Sequence, residues 1–153
     1  MNNEDETLNS LLLQAQKFYD KPDEFLDQCE RVWNKVQYSR NGDLFLELGV
    51  NLHKSSYINL AIYSFDHALM YYTKNNDIQG KPNCYGNLGF VYRSLADCTK
   101  SNKFYEKALE IAKQIGDLKG EAECYQNLGI VYSSLADYAK AIELHQKALE
   151  CTE

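Results

Sequence analysis

The side chains best suited to acid–base, metal or nucleophilic chemistry are three histidines and five cysteines. Such chemistry needs a second group at a defined spacing, for example His-Glu-x-x-His for zinc or a Cys-x-x-Cys pair for metal or redox work. His53, His67 and His145 stand in no such pattern, and the cysteines are odd in number and scattered. The sequence also has no glycine-rich phosphate loop and no nucleophile elbow. We therefore predict a protein that is not an enzyme and that has no metal site and no cofactor.

The strongest pattern in the sequence is a repeat of 40 residues. A Leu-Gly pair occurs at residues 48–49, 88–89 and 128–129, a spacing too regular for chance. Cys84 and Cys124 also match, which suits either a redox pair or one packing position filled twice. We favour packing, because cysteine behaves as a small apolar side chain. The same shift matches Tyr85 with Tyr125, Asn87 with Asn127, Tyr92 with Tyr132, and residues 107–110 with 147–150.

Apolar residues within each copy recur at the spacing of two amphipathic helices joined by a short turn. Asp97 and Asp137 are predicted to cap the second helices of the last two copies. Pro82 suits the first turn of a first helix, whereas Gly80 and Gly120 are predicted to be breaks between hairpins. Small residues are expected where two helix backbones approach closely: Gly89 with Ala108, and Gly129 with Ala148.

These residues resemble the tetratricopeptide repeat signature, which they carry as Tyr125-x-x-Leu128-Gly129-x-x-Tyr132 followed by Ala141 and Ala148. Ser101 and His145 depart from it. The resemblance implies an all-α fold: a right-handed α-solenoid of about four antiparallel helical hairpins, with about eight helices. The 40-residue length, with segments 85–89 and 111–117, resembles the repeats of the G-protein-signalling modulator family of polarity and spindle-orientation adaptors.

The repeat divides the chain into a degenerate N-terminal hairpin or cap at 1–40, a diverged repeat at 41–80, and repeats at 81–120 and 121–153. In the first part we predict helices near 4–20 and 23–39, the second opening after Pro22. The last part stops short of a segment like 111–117, and no capping helix follows it. We expect either that the natural chain continues or that another molecule covers an apolar face there, formed by Ala139, Ile142, Ala148 and Cys151.

The predicted binding surface lies on the first helices, which line the concave side of stacked hairpins of this kind. Asn87 and Asn127 are expected to offer hydrogen-bond donors and acceptors, and Val50, Phe90 and Ile130 an apolar strip. Alternatively, the strip only packs between hairpins. The predicted groove consists of Glu47, Val50, His53, Lys54, Asn83, Asn87, Phe90, Arg93, Glu123, Gln126, Asn127 and Ile130.

Two ligand classes of similar repeats are not expected here. Repeats that clamp the C-terminal carboxylate of chaperones use lysine, arginine and asparagine at the positions that hold Leu46, Val50, Gly86 and Phe90 in this chain. Signalling-modulator repeats commonly place arginine before the Tyr-x-Asn-Leu-Gly string and asparagine after it. This chain has neither, so the ligands of that family are not carried over.

Acidic residues outnumber basic ones, 22 to 16, which argues against nucleic acid or an anionic membrane as the main partner. No apolar run reaches the ~20 residues that span a bilayer, and the acidic first residues do not resemble a targeting signal. Cysteines without a Cys-x-x-Cys pair fit reduced thiols in a reducing compartment. Together these features predict a cytoplasmic protein. The leading interpretation is an adaptor or scaffold that binds a protein or peptide in its groove. The alternatives are a homo-oligomer assembled through the last hairpin and a regulatory fragment of a larger signalling protein.

Overall fold

The computed structural model describes residues 3–35 and 41–153 of the chain. Over these residues the chain is all α-helical, without strands, which confirms the predicted fold class and helix number. The helices are α1 (Asn3–Gln14), α2 (Pro22–Lys35), α3 (Asn41–Lys54), α4 (Ile58–Lys74), α5 (Lys81–Ser94), α6 (Cys98–Ile115), α7 (Leu118–Ser134) and α8 (Tyr138–Cys151). None of these helices is long and apolar enough to cross a membrane.

The chain divides into two compact units, Met1–Gly80 and Lys81–Glu153, which we call the N-terminal and C-terminal units. In the N-terminal unit α3 and α4 form a hairpin, and α1 packs on α3 while α2 packs on α4. Its core is aromatic, since Trp33, Phe45 and Phe65 are fully buried. The rings of Trp33 and Phe45 meet edge to face at 4.8 Å between centroids. The division at residues 40, 80 and 120 and the handedness of the stack stay predictions.

The first predicted helix is wrong in its second half. After α1 the chain tightens into a 3-10 helix, Ala15–Phe18, and then turns. The backbone N–H of Lys21 donates to the carbonyl of Phe18 at 2.8 Å, and α2 begins at Pro22, because proline fits the first helical position but not a helix interior. The Phe18 ring packs at 6.0 Å from that of Phe25. Of the second predicted helix, residues 36–39 lie outside the described residues.

The C-terminal unit consists of the hairpins α5–α6 and α7–α8, with α6 and α5 both packed on α7. Its core cluster takes Tyr105 from α6 and otherwise belongs to α7 and α8. One ring from the first hairpin is therefore inserted into the core of the second. The cluster consists of Tyr105, Ala122, Tyr125, Leu128, Val131, Leu144 and Ala148.

The turns inside the two C-terminal hairpins are alike and are capped as predicted. Asp97 Oδ1 accepts a hydrogen bond of 3.1 Å from the backbone N–H of Lys100, and Asp137 makes the same bond forty residues on. The N–H of Asp97 also donates to the carbonyl of Tyr92 at 2.9 Å, and Ala96 takes a positive φ of 59°. These bonds satisfy backbone groups that a helix end otherwise leaves unpaired.

The prediction that Gly120 is a break between hairpins is wrong. Gly120 lies in the first turn of α7, where its N–H donates to the capping carboxylate of Asp117 at 3.0 Å. The break is at Gly116, whose φ of 73° ends α6 in the left-handed conformation. Gly80 stands immediately before α5, and Pro82 lies in the first turn of that helix as predicted.

Three glycines of the first helices each face a ring sixteen residues later, on the second helix of the same hairpin. The sequence predicts that two helix backbones approach each other at these glycines. In the structure the space that each glycine leaves is occupied by a side-chain ring of the second helix. The hydroxyl of buried Ser101, a departure from the repeat signature, donates to the carbonyl of Gly89 at 2.8 Å. The pairs are Gly49–Phe65, Gly89–Tyr105 and Gly129–His145, and a Cβ on the glycine would lie 2.6 to 2.7 Å from the ring.

Replacing Gly89 by alanine is expected to destabilise the chain by about 1–2 kcal/mol, because overpacking against the Tyr105 ring outweighs the better helix propensity of alanine. Gly86→Ala is the matched control on the same helix, since nothing lies within 4 Å of a Cβ there. We expect that change to stabilise the chain by up to about 1 kcal/mol. Urea unfolding measures both variants, and equal stabilisation by the two would contradict the packing described.

Candidate functional site

The C-terminal unit contains a groove of about 430 Å³ between α5 and α7. The two first helices form its walls, and buried residues of α6 form its floor. The wall on α5 consists of Pro82, Asn83, Gly86, Asn87 and Phe90; the floor consists of Tyr105, Ala108 and Ala112; the wall on α7 consists of Asp117, Lys119, Gly120, Glu123, Cys124 and Asn127.

Small residues keep the groove open. Ala108 and Ala112 lie one turn apart on α6 and are each 1% exposed, so the floor is made of methyl groups rather than long side chains. Gly86 contributes no side chain to the α5 wall, and a Cβ there would meet nothing within 4 Å. The helix spacing set by the packing residues therefore leaves a channel that a segment of another chain could fill.

Asparagine side chains on both walls supply uncharged polar groups to the groove. The Nδ2 of Asn87 donates to the carbonyl of Asn83 at 2.7 Å, one turn earlier on α5. An amide side chain has two N–H donors and one acceptor oxygen, so Asn87 keeps a donor and its acceptor for a ligand. Asn127 faces it from α7, half-buried, and within the part of the chain described its side chain makes no hydrogen bond.

Phe90 is the exposed apolar side chain of the groove, with 44% of its surface open. The guanidinium carbon of Arg93 lies 5.0 Å from the centre of its ring, a cation–π contact. At the opposite end of the groove, where α5 and α7 begin, Asp117 and Glu123 place two carboxylates beside Lys119. Two carboxylates against one ammonium group make this the acidic end of the groove.

The thiol of Cys124 lines the groove but is held in its protonated form. Burial raises the pKa of Cys124 to about 12, and the carboxylates of Glu123 and Asp117 act in the same direction. A thiol with such a pKa is a poor nucleophile and metal ligand near neutral pH. Within residues 3–35 and 41–153, no three histidine, cysteine or acidic residues are grouped so that they could hold a metal ion.

The predicted groove residues fall into three sets. Arg93, Gln126 and Ile130 lie on α5 and α7 but do not line the groove. Four more lie on α3 in the N-terminal unit, with Glu47 and Lys54 exposed and Val50 and His53 half-buried. That any of these residues binds a partner stays a prediction. The predicted residues on the groove are Asn83, Asn87, Phe90, Glu123 and Asn127.

Sequence reasoning missed the floor of the groove and its acidic end. The predicted groove contains residues of first helices, whereas Tyr105, Ala108 and Ala112 belong to α6. The pair of alanines four residues apart was a signal for them, because two small residues on one helix face leave space. Asp117 lies three residues before Gly120, a predicted break, and nothing in that pattern predicts that it lines a groove.

The apolar face predicted on the last hairpin is partly wrong. Ala148 is 2% exposed, because it belongs to the core cluster, whereas Ile142 is 66% exposed. Ala139 is exposed and Cys151 is half-buried. Tyr138 and Leu149, which the prediction omitted, are 65% and 64% exposed. The open apolar face of α8 is therefore formed by Tyr138, Ile142 and Leu149.

Comparison with known proteins agrees with this architecture. Residues 82–153 match the family model described as Tetratricopeptide repeat. No curated protein sequence matches the chain. The structure is similar to a crystal structure of MamA (TM-score 0.65, 22% identity, 95% of this chain and 78% of that chain). It is also similar to BtubC (BKLC) from P. vanneervenii (TM-score 0.73, 20% identity, 99% of this chain and 65% of that chain). At these identities the likeness shows the helical-repeat fold.

The raised pKa of Cys124 predicts slow alkylation of this thiol in the folded chain. At pH 8 a thiol with a pKa of about 12 is ionised in only about one molecule in ten thousand, so iodoacetamide should leave Cys124 unmodified while the urea-unfolded chain reacts fully. Peptide mass mapping after timed alkylation measures this. Modification of Cys124 at the same rate in the folded and unfolded chain would contradict the account.

Proposed function

We propose that this chain is a protein-binding adaptor and that the groove of its C-terminal unit holds a peptide segment of the partner. The groove itself carries the proposal, because asparagine amides on both walls flank a floor of buried methyl groups and an exposed phenylalanine ring. A bound backbone has N–H and C=O groups that are costly to bury unpaired, and asparagine can satisfy both kinds. Apolar side chains of the segment would contact Phe90 and the alanines of the floor.

We also propose that the chain is not an enzyme. The match of residues 82–153 to a repeat used for protein interaction supports this, as does the protonated state of the groove thiol. All five cysteines are free, which supports a reducing compartment such as the cytoplasm.

The ligand is distinct from those of two similar groups of repeats. Gly86 and Phe90 replace the polar residues that a chaperone carboxylate clamp uses. The resemblance to signalling-modulator adaptors supports the adaptor role, but the residues around the Tyr-x-Asn-Leu-Gly strings differ, so no ligand of that family is proposed.

The double variant Asn87→Ala/Asn127→Ala is expected to weaken partner binding at least tenfold, about 1.4 kcal/mol, while unfolding changes by less than about 1 kcal/mol. Both side chains lie on the groove, and the hydrogen bond of Asn87 stays within its own helix. Affinity capture from cell extract, read by quantitative mass spectrometry, measures binding, and urea unfolding measures stability.

The control is Gln114→Ala/Gln146→Ala, which removes two exposed amides from α6 and α8, outside the groove. Proteins retained by wild type and by this control, and lost from the asparagine variant, are the expected result. A large loss of stability in the asparagine variant would show a structural role for these amides. Equal capture by all three proteins would rule out the groove as the binding site.

A second candidate function is self-assembly through α8, and one observation favours it. Cys98 and Leu109 of α6 pack against the core cluster that Tyr105 of α6 forms with the next hairpin. Forty residues on, Tyr138 and Leu149 of α8 are 65% and 64% exposed. The face of α8 that corresponds to the packed face of α6 is therefore exposed. We propose that a hairpin of a second copy of this chain packs on it.

Sedimentation velocity over the micromolar concentration range tests self-assembly. We expect wild type to associate as its concentration rises and Ile142→Lys/Leu149→Lys to remain monomeric, since lysine is poorly tolerated in a buried apolar contact. Leu118→Lys, at an exposed leucine of α7, is the control and should associate like wild type. A wild-type chain that stays monomeric throughout would contradict this second function and leave the groove proposal untouched.

A further inference from the structure

His145 lies in the middle of the open apolar face of α8. Ile142 is one turn before it and Leu149 is one turn after it, and both are exposed. On its inner side the His145 ring fills the space that Gly129 leaves on α7. The ring is half-buried, so part of it belongs to the packing of the hairpin and part of it to the open face.

The equivalent rings of the other two hairpins are Phe65 and Tyr105. Tyr105 shows what happens at this position when the face is covered. It is 2% exposed, and the other members of its core cluster belong to the next hairpin. A molecule that covers the face of α8 would bury the His145 ring in the same way. Histidine differs from the two other rings because its charge ordinarily changes between pH 5 and 8.

Within α8, all of which the structure describes, no charged residue shares this face with His145. Glu143 and Lys147 are two positions away, on the opposite side of the helix, and their side chains pair at 3.2 Å. Lys140 pairs with Glu143 as well, at 3.5 Å. The residues three, four and seven positions from His145 are Tyr138, Ala141, Ile142, Ala148, Leu149 and Thr152.

α7, the helix that packs against α8, brings no carboxylate to the imidazole from the turns next to Gly129, and these turns lie within the described residues. The titratable residues there are Tyr125 and Tyr132, which are neutral below about pH 9. The ammonium groups of Lys113 and Lys147 lie 5.4 and 5.8 Å from the centre of the Tyr125 ring, and their charges are positive. A buried imidazolium at this position would therefore have no negative group from these turns to offset its charge.

We propose that α8 packs on α8 of a second copy about a two-fold axis, and that His145 makes this contact dependent on pH. This inference rests on the second candidate function. The open face is then its own partner, and the pair closes as a dimer. In an antiparallel pair of identical helices, a residue midway between Ile142 and Leu149 lies beside the axis, so the two His145 rings meet there.

Acid is expected to weaken this dimer. Burial favours the uncharged imidazole, because an imidazolium would lose its water and would also face the second ring's positive charge. A chain that is protonated at His145 must release the proton before it dimerises, so association is strongest above about pH 7 and is lost as the pH falls. From about pH 7.5 to about pH 5.5, each buried histidine should weaken association about tenfold, and two histidines about a hundredfold.

Sedimentation velocity of the full chain at about pH 7.5 and about pH 5.5, at constant ionic strength, tests the inference. Wild type is expected to dimerise at the higher pH and to have a dissociation constant about a hundredfold higher at the lower pH. His145→Phe keeps a ring against Gly129, as Phe65 does against Gly49, and should dimerise equally at both. His53→Gln removes a histidine of α3 and should behave like wild type.

Two charged variants test whether the His145 rings of the two copies meet. His145→Lys and His145→Glu should each remain monomeric near neutral pH, because like charges would be buried side by side at the axis. An equimolar mixture of the two should dimerise more strongly than either variant alone. A mixture that associates no better than its components would overturn the two-fold arrangement.

The outcomes distinguish this inference from the function on which it rests. A wild-type dimer of equal strength at both pH values, or a pH dependence that His145→Phe retains, overturns the role of His145, while self-assembly through α8 stands. Acid unfolding of the chain would dissociate His145→Phe as well, so it also counts against the inference. Wild type that is monomeric at both pH values contradicts self-assembly and this inference together, and leaves the groove proposal untouched.

Discussion

The C-terminal unit depends on the contact between the Tyr105 ring and the glycine at position 89. Gly89 offers the ring a place on α5 that any larger residue would fill, and this brings α5 and α6 together as a hairpin. The same ring extends into the core cluster of α7 and α8 and closes the floor of the groove. One side chain therefore joins two hairpins and shapes the surface left between them. The hydroxyl of Ser101, bonded to the carbonyl of Gly89, supports the contact from one turn away.

The helices divide their surface between packing and the groove. On α5, Leu88 and Val91 are fully buried, whereas Asn87 and Phe90 lie on the groove one position away. Substitutions on the groove face leave the packing face unchanged, because the two sets of side chains point in different directions along the same helix. A repeat of this kind can therefore change its partner without changing its fold, and the partner is decided by a few side chains rather than by the architecture.

The sequence predicts the helices and turns of the last two copies well, because periodicity and capping are local. The position of Asp97 in the repeat predicts that it is a cap, and the hydrogen bond is present in the structure. The failures have a common cause, which is that one residue type serves several purposes. Gly120 is part of a first helical turn rather than a break, and Ala148 is a core residue rather than a surface one. An alanine such as Ala112 gives the same sequence pattern in a core and in the floor of a groove. Only its neighbours in space distinguish the two locations.

The central claim is that a peptide segment of the partner lies between α5 and α7. Nuclear magnetic resonance of the ¹⁵N-labelled chain, titrated with a peptide that binds it, tests this claim most directly, because each N–H reports its own surroundings. The account predicts that the largest shifts occur at the backbone N–H of Gly86 and at the side-chain amides of Asn87 and Asn127. Shifts confined to Tyr138, Ile142 and Leu149 of α8, with these groove signals unchanged, would contradict it.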